Sequence, residues 1–302
     1  MTLHQLTIGE ATIGGPLGGR TGLLVGSLFY DKHSVVKDAF AGDFDEERAA
    51  KLLKSATDAS RRTGMQVAID VIAASTEAIE KFLPFVAENS PLPMMINASE
   101  AEVHIAGLEI AAKHGFLDRC IFASLNMDTE DDELDALRKH RPAAVMIMAN
   151  DGADPTPEGC CQFIEDYYLP ILQDIGVETP IVDLGTMDPP SVGLCVRGIS
   201  AVRERFGFPV GCAFSNCISQ WTGLRELGRE YTNYSLGAAL VACRAAGGDF
   251  LHYGLIEKTK AVTHIAGSAE VFYGFAAQEL DGAKLPEGHP LLKMFKLGGG
   301  AN

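Results

Sequence analysis

Short runs of apolar and β-branched residues alternate along this chain with longer segments whose apolar positions recur every three to four residues. Eight such runs stand out, at 23–29, 66–72, 93–98, 120–125, 143–149, 180–184, 209–214 and 249–254. Most are continuous hydrophobic strings, the pattern of strands buried on both faces of a parallel sheet. Helical periodicity fills the intervals at 45–63, 76–88, 102–114, 130–140, 157–174, 190–206, 234–246 and 257–280. Asp45 and Ser75 sit where N-caps belong, Gly115 marks a helix end, and Pro157 and Pro190 suit a first helical turn. Eight strand–helix units predict an α/β fold, a closed (β/α)8 TIM barrel. The alternative, an open doubly wound sheet for dinucleotides, lacks its GxGxxG after the first run.

Two pieces stand outside this repeat. Residues 6–13, with Gly9 and the Gly14-Gly15 turn, read as a β-hairpin, so that segment 1–20 is expected to close the bottom of the barrel. The tail over 281–302 is rich in glycine and proline and is expected to end in a loosely held arm. At 302 residues the whole chain, 1–302, fits one barrel domain, for which about 250 residues is usual.

Composition narrows the function classes. With 47% hydrophobic and 22% charged residues the chain has ample apolar surface to bury. A net charge of −15 without a local Lys/Arg cluster argues against a nucleic-acid partner. No apolar stretch approaches the roughly 20 residues of a membrane span and residues 1–10 lack a basic leader, so membrane insertion is not expected and the protein is expected to be cytoplasmic. Seven cysteines without a CxxC pair predict free thiols. Cys212 and Cys217 have no histidine near them in sequence, so no protein-bound metal is expected.

In such barrels the reactive groups stand at the C-terminal ends of the strands. Polar residues that interrupt the apolar runs there are Ser27, Asp70, Asn97 to Glu100, Ser124, Asn126, Asn150, Asp183, Ser215, Asn216, His252 and Glu257. The set is rich in amides and carboxylates and holds no lysine or arginine. It suits a neutral heterocycle with an amidine edge, such as a pterin, because a carboxylate accepts both a ring N–H and the exocyclic amine. A phosphorylated substrate fits worse. Bland roles compete at each position. Asp70 and Asp183 can pair inside the barrel, Asn216 can be a turn residue at positive φ, Ser99 and Ser124 can be strand-end caps, and His252 reads more readily as a satisfied barrel histidine than as a base. The acidic run 128–135 reads as a solvated helix start.

The chain resembles the H-subunit family of tetrahydromethanopterin S-methyltransferase, above all bacterial members that act as methyltetrahydrofolate:corrinoid methyltransferases. The likeness rests on Leu28-Phe29-Tyr30-Asp31-Lys32-His33, Gly42-Asp43-Phe44-Asp45, Ile69-Asp70, the string VDLGTMDPPSVG through Asp183 to Gly193, FGFPVGCAFSN from Phe206 to Asn216, and HYGLIE from His252 to Glu257. It implies a homodimeric barrel that moves a methyl group between N5 of tetrahydrofolate or tetrahydromethanopterin and the cobalt of a corrinoid. A separate corrinoid-binding protein would supply that corrinoid, and demethylation of quaternary amines could feed it. By position, Asp70 and Asp183 would hold the pterin's amidine edge, and Asn216, following Ser215, would reach N5. Where related methyltransferases carry Asp-Ser-Thr-Asn, this chain has Asn97-Ala98-Ser99-Glu100, so the pterin-contacting Asn of the class falls on Glu100. Asn97, Asn126 and Asn150 are alternative contributors, and Ser99 and Ser215 complete the candidate pterin contacts.

The chemistry asks for such residues. A tertiary amine is a poor leaving group, so demethylating N5 needs a donor there, and in reverse N5 must be a free nucleophile. An amide serves both directions. Two other readings compete: a dihydropteroate synthase-like condensing barrel, and a non-catalytic subunit that docks a corrinoid protein in a larger complex.

Overall fold

The computed structural model describes residues 2–150 and 152–295. A two-stranded antiparallel hairpin, β1 (Gln5–Ile8) and β2 (Ala11–Gly14), precedes the first barrel strand, β3 (Leu23–Leu28). A small ribbon, β4 (Val36–Asp38) and β5 (Asp43–Phe44), leads into the first barrel helix. The remaining barrel strands are β6 (Gln66–Ile72), β7 (Met94–Asn97), β8 (Cys120–Leu125), β9 (Ala144–Met148), β10 (Ile181–Asp183), β11 (Val210–Cys212) and β12 (Phe250–Leu255). These seven and β3 pair in chain order, all parallel, and β12 returns to β3 to close the barrel.

Each element follows from local chemistry. The helix Glu46–Thr63 opens on Asp45, whose side chain accepts the Arg48 N–H, and ends at Gly64 in the left-handed region. Ser75 caps Thr76–Asn89 by accepting the Ala78 N–H. The hairpin turns at Gly9, φ 55°, and sends Ile8, Ala11 and Ile13 into the barrel floor. There they pack on Leu23, Ala144, Ile181 and Phe250 at the N-terminal ends of their strands, so the hairpin closes the bottom and leaves the top open.

Two local features differ from the sequence reading. The segment expected as one helix over 157–174 contains a wide π-type stretch, Ile164–Tyr168, between Pro157–Phe163 and Leu169–Ile175. Pro170 supplies the reason: it lacks an N–H and its ring crowds the carbonyl four residues back, which a wider turn relieves. Three helices, Ser215–Gln220, Thr222–Leu227 and Arg229–Ala245, replace the single one expected over 234–246. The C-terminal tail is anchored at 290–293, before its end. Pro290 and Leu291 are buried, and Lys293 Nζ donates to the Arg61 carbonyl at 2.7 Å. The last residues of the expected arm, 296–302, lie outside the described residues.

All seven cysteines are buried thiols. Cys212 faces Cys243 at an Sγ–Sγ distance of 3.6 Å, while Cys217 donates to the Phe214 carbonyl. Among the described residues no helix is long and apolar enough to cross a membrane.

Candidate active site

At the open end the strands surround a cavity of about 380 Å³. Its floor is apolar: Met95, Met146 and Phe250 belong to the same cluster that receives the hairpin below. Its walls carry Asp70 from β6, Asn97 at the end of β7, Asp183 at the end of β10, Asn216 from the helix after β11, and His252 from β12.

Asp70 is 1% exposed and is held by three side-chain donors. Ser27 Oγ donates to Oδ2 at 2.8 Å, His252 Nε2 lies 3.0 Å from the same oxygen, and Asn97 Nδ2 donates to Oδ1 at 2.8 Å. Such donors offset the cost of burying a carboxylate. They also leave the Asn97 carbonyl oxygen and one lone-pair position on Asp70 Oδ1 for a ligand. Asp183 is built differently. It is 3% exposed, and its charge meets backbone donors, with the Gly185 N–H at 2.9 Å from Oδ1. Burial pushes its carboxyl up from the usual aspartate value, against the opposing pull of the Gly185 N–H, His252 and the Ala213 N–H.

Asn216 is exposed, lies in the first turn of Ser215–Gln220 and has no positive φ, so the turn-residue reading fails. Among the described residues nothing hydrogen-bonds its amide, which leaves both its oxygen and its NH2 group to the cavity. Ser215 is buried, with Oγ 3.3 Å from His252 Nδ1.

The structure therefore gathers Asp70, Asp183, Asn97 and Asn216 around one cavity and sets Ser215 against His252 in its wall. Four other candidates stand elsewhere. Ser99 and Glu100 are exposed at the start of the helix Ala101–His114, because the chain leaves the rim as soon as β7 ends at Asn97. Asn126 is spent on its own turn, accepting the Asp128 N–H at 2.7 Å. Asn150 likewise accepts the Gly152 N–H at 2.9 Å and lines a separate small hollow beside Leu184, Gly185 and Cys195.

Two cavity residues go beyond the pterin contacts expected from sequence. His252 reads in the sequence as a barrel filler; its signal is a ring-nitrogen side chain interrupting an apolar strand, and although it pairs opposite Val25 of β3 its Nε2 reaches Ser27 Oγ at 3.1 Å. Tyr30 lies in a loop past β3, where periodicity carries no information. That loop is strained: Phe29 and Lys32 have φ of 67° and 64°, a conformation costing a non-glycine residue about 1–2 kcal/mol. Packing holds it. The Phe29 ring stacks on Phe82 at 4.1 Å, and buried His33 Nε2 meets Glu257 Oε1 at 3.1 Å. The His33 hydrogen bond holds the Glu257 carboxyl below its usual range, while burial raises the Tyr30 phenol.

Known proteins resemble this chain in two ways. Among solved structures, 7,8-dihydropteroate synthase from Vibrio fischeri superposes with a TM-score of 0.66 at 14% identity, covering 89% of this chain and 98% of that one. Dihydropteroate synthase from Thermus thermophilus gives 0.64 at 15%, covering 89% and 100%. At such identities the likeness concerns the barrel alone. By sequence, the chain is 33% identical over 301 residues to the H subunit of tetrahydromethanopterin S-methyltransferase from Methanothermobacter marburgensis, covering 96% of each. It is 28% identical over 305 residues to the protein of the same name from Methanosarcina mazei, covering 95% of this chain and 96% of the relative. Residues 4–283 match the family described as tetrahydromethanopterin S-methyltransferase MtrH subunit, and the chain belongs to that family.

Proposed function

We propose that this chain moves a methyl group between N5 of a reduced pterin, tetrahydrofolate or tetrahydromethanopterin, and the cobalt of a corrinoid carried by a separate protein. The observation that carries this reading is the pair of buried carboxylates, Asp70 and Asp183, lining one cavity in a chain of this family. Its volume of about 380 Å³ falls in the range of small-ligand sites. Asp183, with backbone donors at its buried side, is free to accept the amidine N–H and exocyclic amine of a pterin. Asp70 and Asn97, already joined, present acceptors to the remainder of the ring. Methionine and phenylalanine beneath provide an apolar bed for a flat heterocycle.

Asn216 has the chemistry that N5 requires, since its amide donates when the methyl leaves and accepts when N5 is the nucleophile. Cobalt(I) is itself a strong nucleophile, so the chain's work is to position two partners for in-line displacement. The open top leaves room for a corrinoid protein to approach. The described residues lining the cavity include no lysine or arginine, which favours methyl transfer over a condensation that must hold pyrophosphate. Tyr231 and Tyr234 on Arg229–Ala245, with Phe272 and Phe275 on the neighbouring helix Thr259–Asp281, are exposed aromatic residues that support self-association into the expected homodimer.

Anaerobic titration with tetrahydrofolate and with tetrahydromethanopterin, followed by a corrinoid absorbance assay with methylcobalamin and the tighter binder, tests the proposal. Saturable binding and formation of the methylpterin are expected. Absence of binding and of transfer with both pterins removes the reading.

A further inference from the structure

His252 is the cavity residue whose surroundings are most elaborate relative to the role left to it. Strand β12 shifts register against β3 between His252 and Gly254, and Gly254 has a φ of 83°. A bulge of this kind re-aims the side chain beside it, here into the cavity. Glycine is required at 254 because a Cβ there would lie 3.0 Å from the Ser215 Cβ in a backbone conformation that side chains avoid. The bulge thus brings the Ser215 hydroxyl up to the imidazole.

The hydrogen bonds fix what the ring can do. Asp70 Oδ2 accepts from Ser27, whose single hydroxyl proton is thereby used. Nε2 lies 3.0 Å from that carboxylate oxygen and 3.1 Å from Ser27 Oγ, both acceptors toward it, so Nε2 carries a proton whatever the charge of the ring. The variable site is Nδ1, 3.3 Å from Ser215 Oγ. A hydroxyl donates to Nδ1 when the ring is neutral and accepts from it when the ring is charged, so the imidazole changes state without losing a bond. The groups facing the ring are the hydroxyls of Ser27 and Ser215, the carboxylates of Asp70 and Asp183, and the Tyr30 phenol at the rim. No cation lines the cavity among the described residues.

We propose that His252, acting through Ser215, is the proton relay of the methyl transfer, an inference that rests on the pterin reading above. When the methylpterin forms, the N5 lone pair attacks the methyl carbon and the carbon–cobalt bonding pair stays on cobalt as cobalt(I). The N5–H proton leaves through water in the open cavity to the Ser215 hydroxyl, which passes its own proton on to His252 Nδ1. In the opposite direction the same proton returns to N5 as the methyl departs. Asn216 touches N5 but holds no proton; His252 stores it beside the carboxylates of Asp70 and Asp183.

The test compares wild-type chain, His252→Gln and Ser215→Ala, with pterin affinity measured separately from the rate of methyl transfer from methylcobalamin at saturating pterin, across pH 5–8. Glutamine keeps an N–H for Asp70 yet has no protonatable nitrogen. His252→Gln should lose about 100-fold in rate with pterin affinity within about threefold, since positioned acid–base groups contribute about that much. The wild-type rate of methylpterin formation should rise with pH, because the relay accepts a proton, and that rise should vanish in the variant. Ser215→Ala, which leaves the imidazole in place, should slow transfer roughly tenfold and serves alone if the glutamine variant does not fold. Added imidazole should restore transfer to His252→Ala. An unchanged rate and pH profile in His252→Gln and Ser215→Ala overturns the relay, as does a loss of affinity that accounts for the whole loss of rate. A wild-type chain that binds pterin and transfers methyl while the variants do the same removes the relay alone. A wild-type chain that does neither removes the pterin reading and the relay with it.

Discussion

Replacing Asp183 by asparagine separates the two things this carboxylate does. In the proposed complex its ionised group accepts two N–H bonds from the pterin, and hydrogen bonds to a charged partner are each worth about 1.5–3 kcal/mol. Asparagine removes the charge and turns an NH2 either toward the pterin, donor against donor, or toward the Gly185 N–H. The expected loss is about 3–5 kcal/mol of binding, or roughly 100- to 5000-fold in affinity. Stability should move the other way. Burial raises the folded-state pKa of Asp183 above the ordinary 3.8, so the folded chain holds the proton more tightly than the unfolded chain. Stability from this group is therefore lost as pH rises from 3.8 through the folded-state value, and at neutral pH the charge is a cost. Asp183→Asn should leave Tm at pH 7 level or higher, with the advantage disappearing in acid. Isothermal titration with both pterins and calorimetric melts at pH 4 and 7 read the two effects. Affinity within threefold of wild type, or a Tm lowered by several degrees at pH 7, refutes the reasoning.

Other substitutions probe the remaining walls. Asn216→Ala should slow methyl transfer about 100-fold or more while pterin affinity changes little, because the amide acts on a group whose charge changes during reaction; stopped-flow transfer rates check this. Asn97→Ala, which strips a donor from Asp70, should weaken pterin binding roughly tenfold, whereas Ser99→Ala and Glu100→Ala should match wild type in the same titration. Ile13→Ala, at the closed end, should cost about 2–5 kcal/mol through the cavity it leaves, seen as a lower denaturant midpoint with pterin affinity retained.

Much of the barrel was legible because its strands are buried on both faces and therefore read as unbroken apolar runs; all eight runs correspond to barrel strands within a residue or two. Caps carried the helix boundaries, as at Asp45 and Ser75. The wide turn at 164–168 and the short helices after β11 were not legible. The first answers to Pro170 inside an otherwise regular pattern, and the second break at Trp221 and Gly228 where no periodic face is long enough to register. At the site, Asp70, Asp183 and Asn216 could be placed because polarity at a strand end is conspicuous. Glu100 and Asn126 lie off the cavity lining because the spot where a strand stops and the chain turns outward is set by pairing with its neighbours, which sequence spacing locates only to within a few residues. His252 is satisfied by hydrogen bonds as a barrel histidine should be, and a lone histidine in an apolar strand gives no hint of the bulge beside it.

A crystal structure of the chain soaked with a tetrahydropterin bears most directly on the central claim. The pterin is predicted to lie in the barrel-top cavity, its amidine edge hydrogen-bonded to Asp183 and N5 about 3 Å from the Asn216 amide. Density for the ring outside that cavity, or with its amidine edge turned to solvent, contradicts the account.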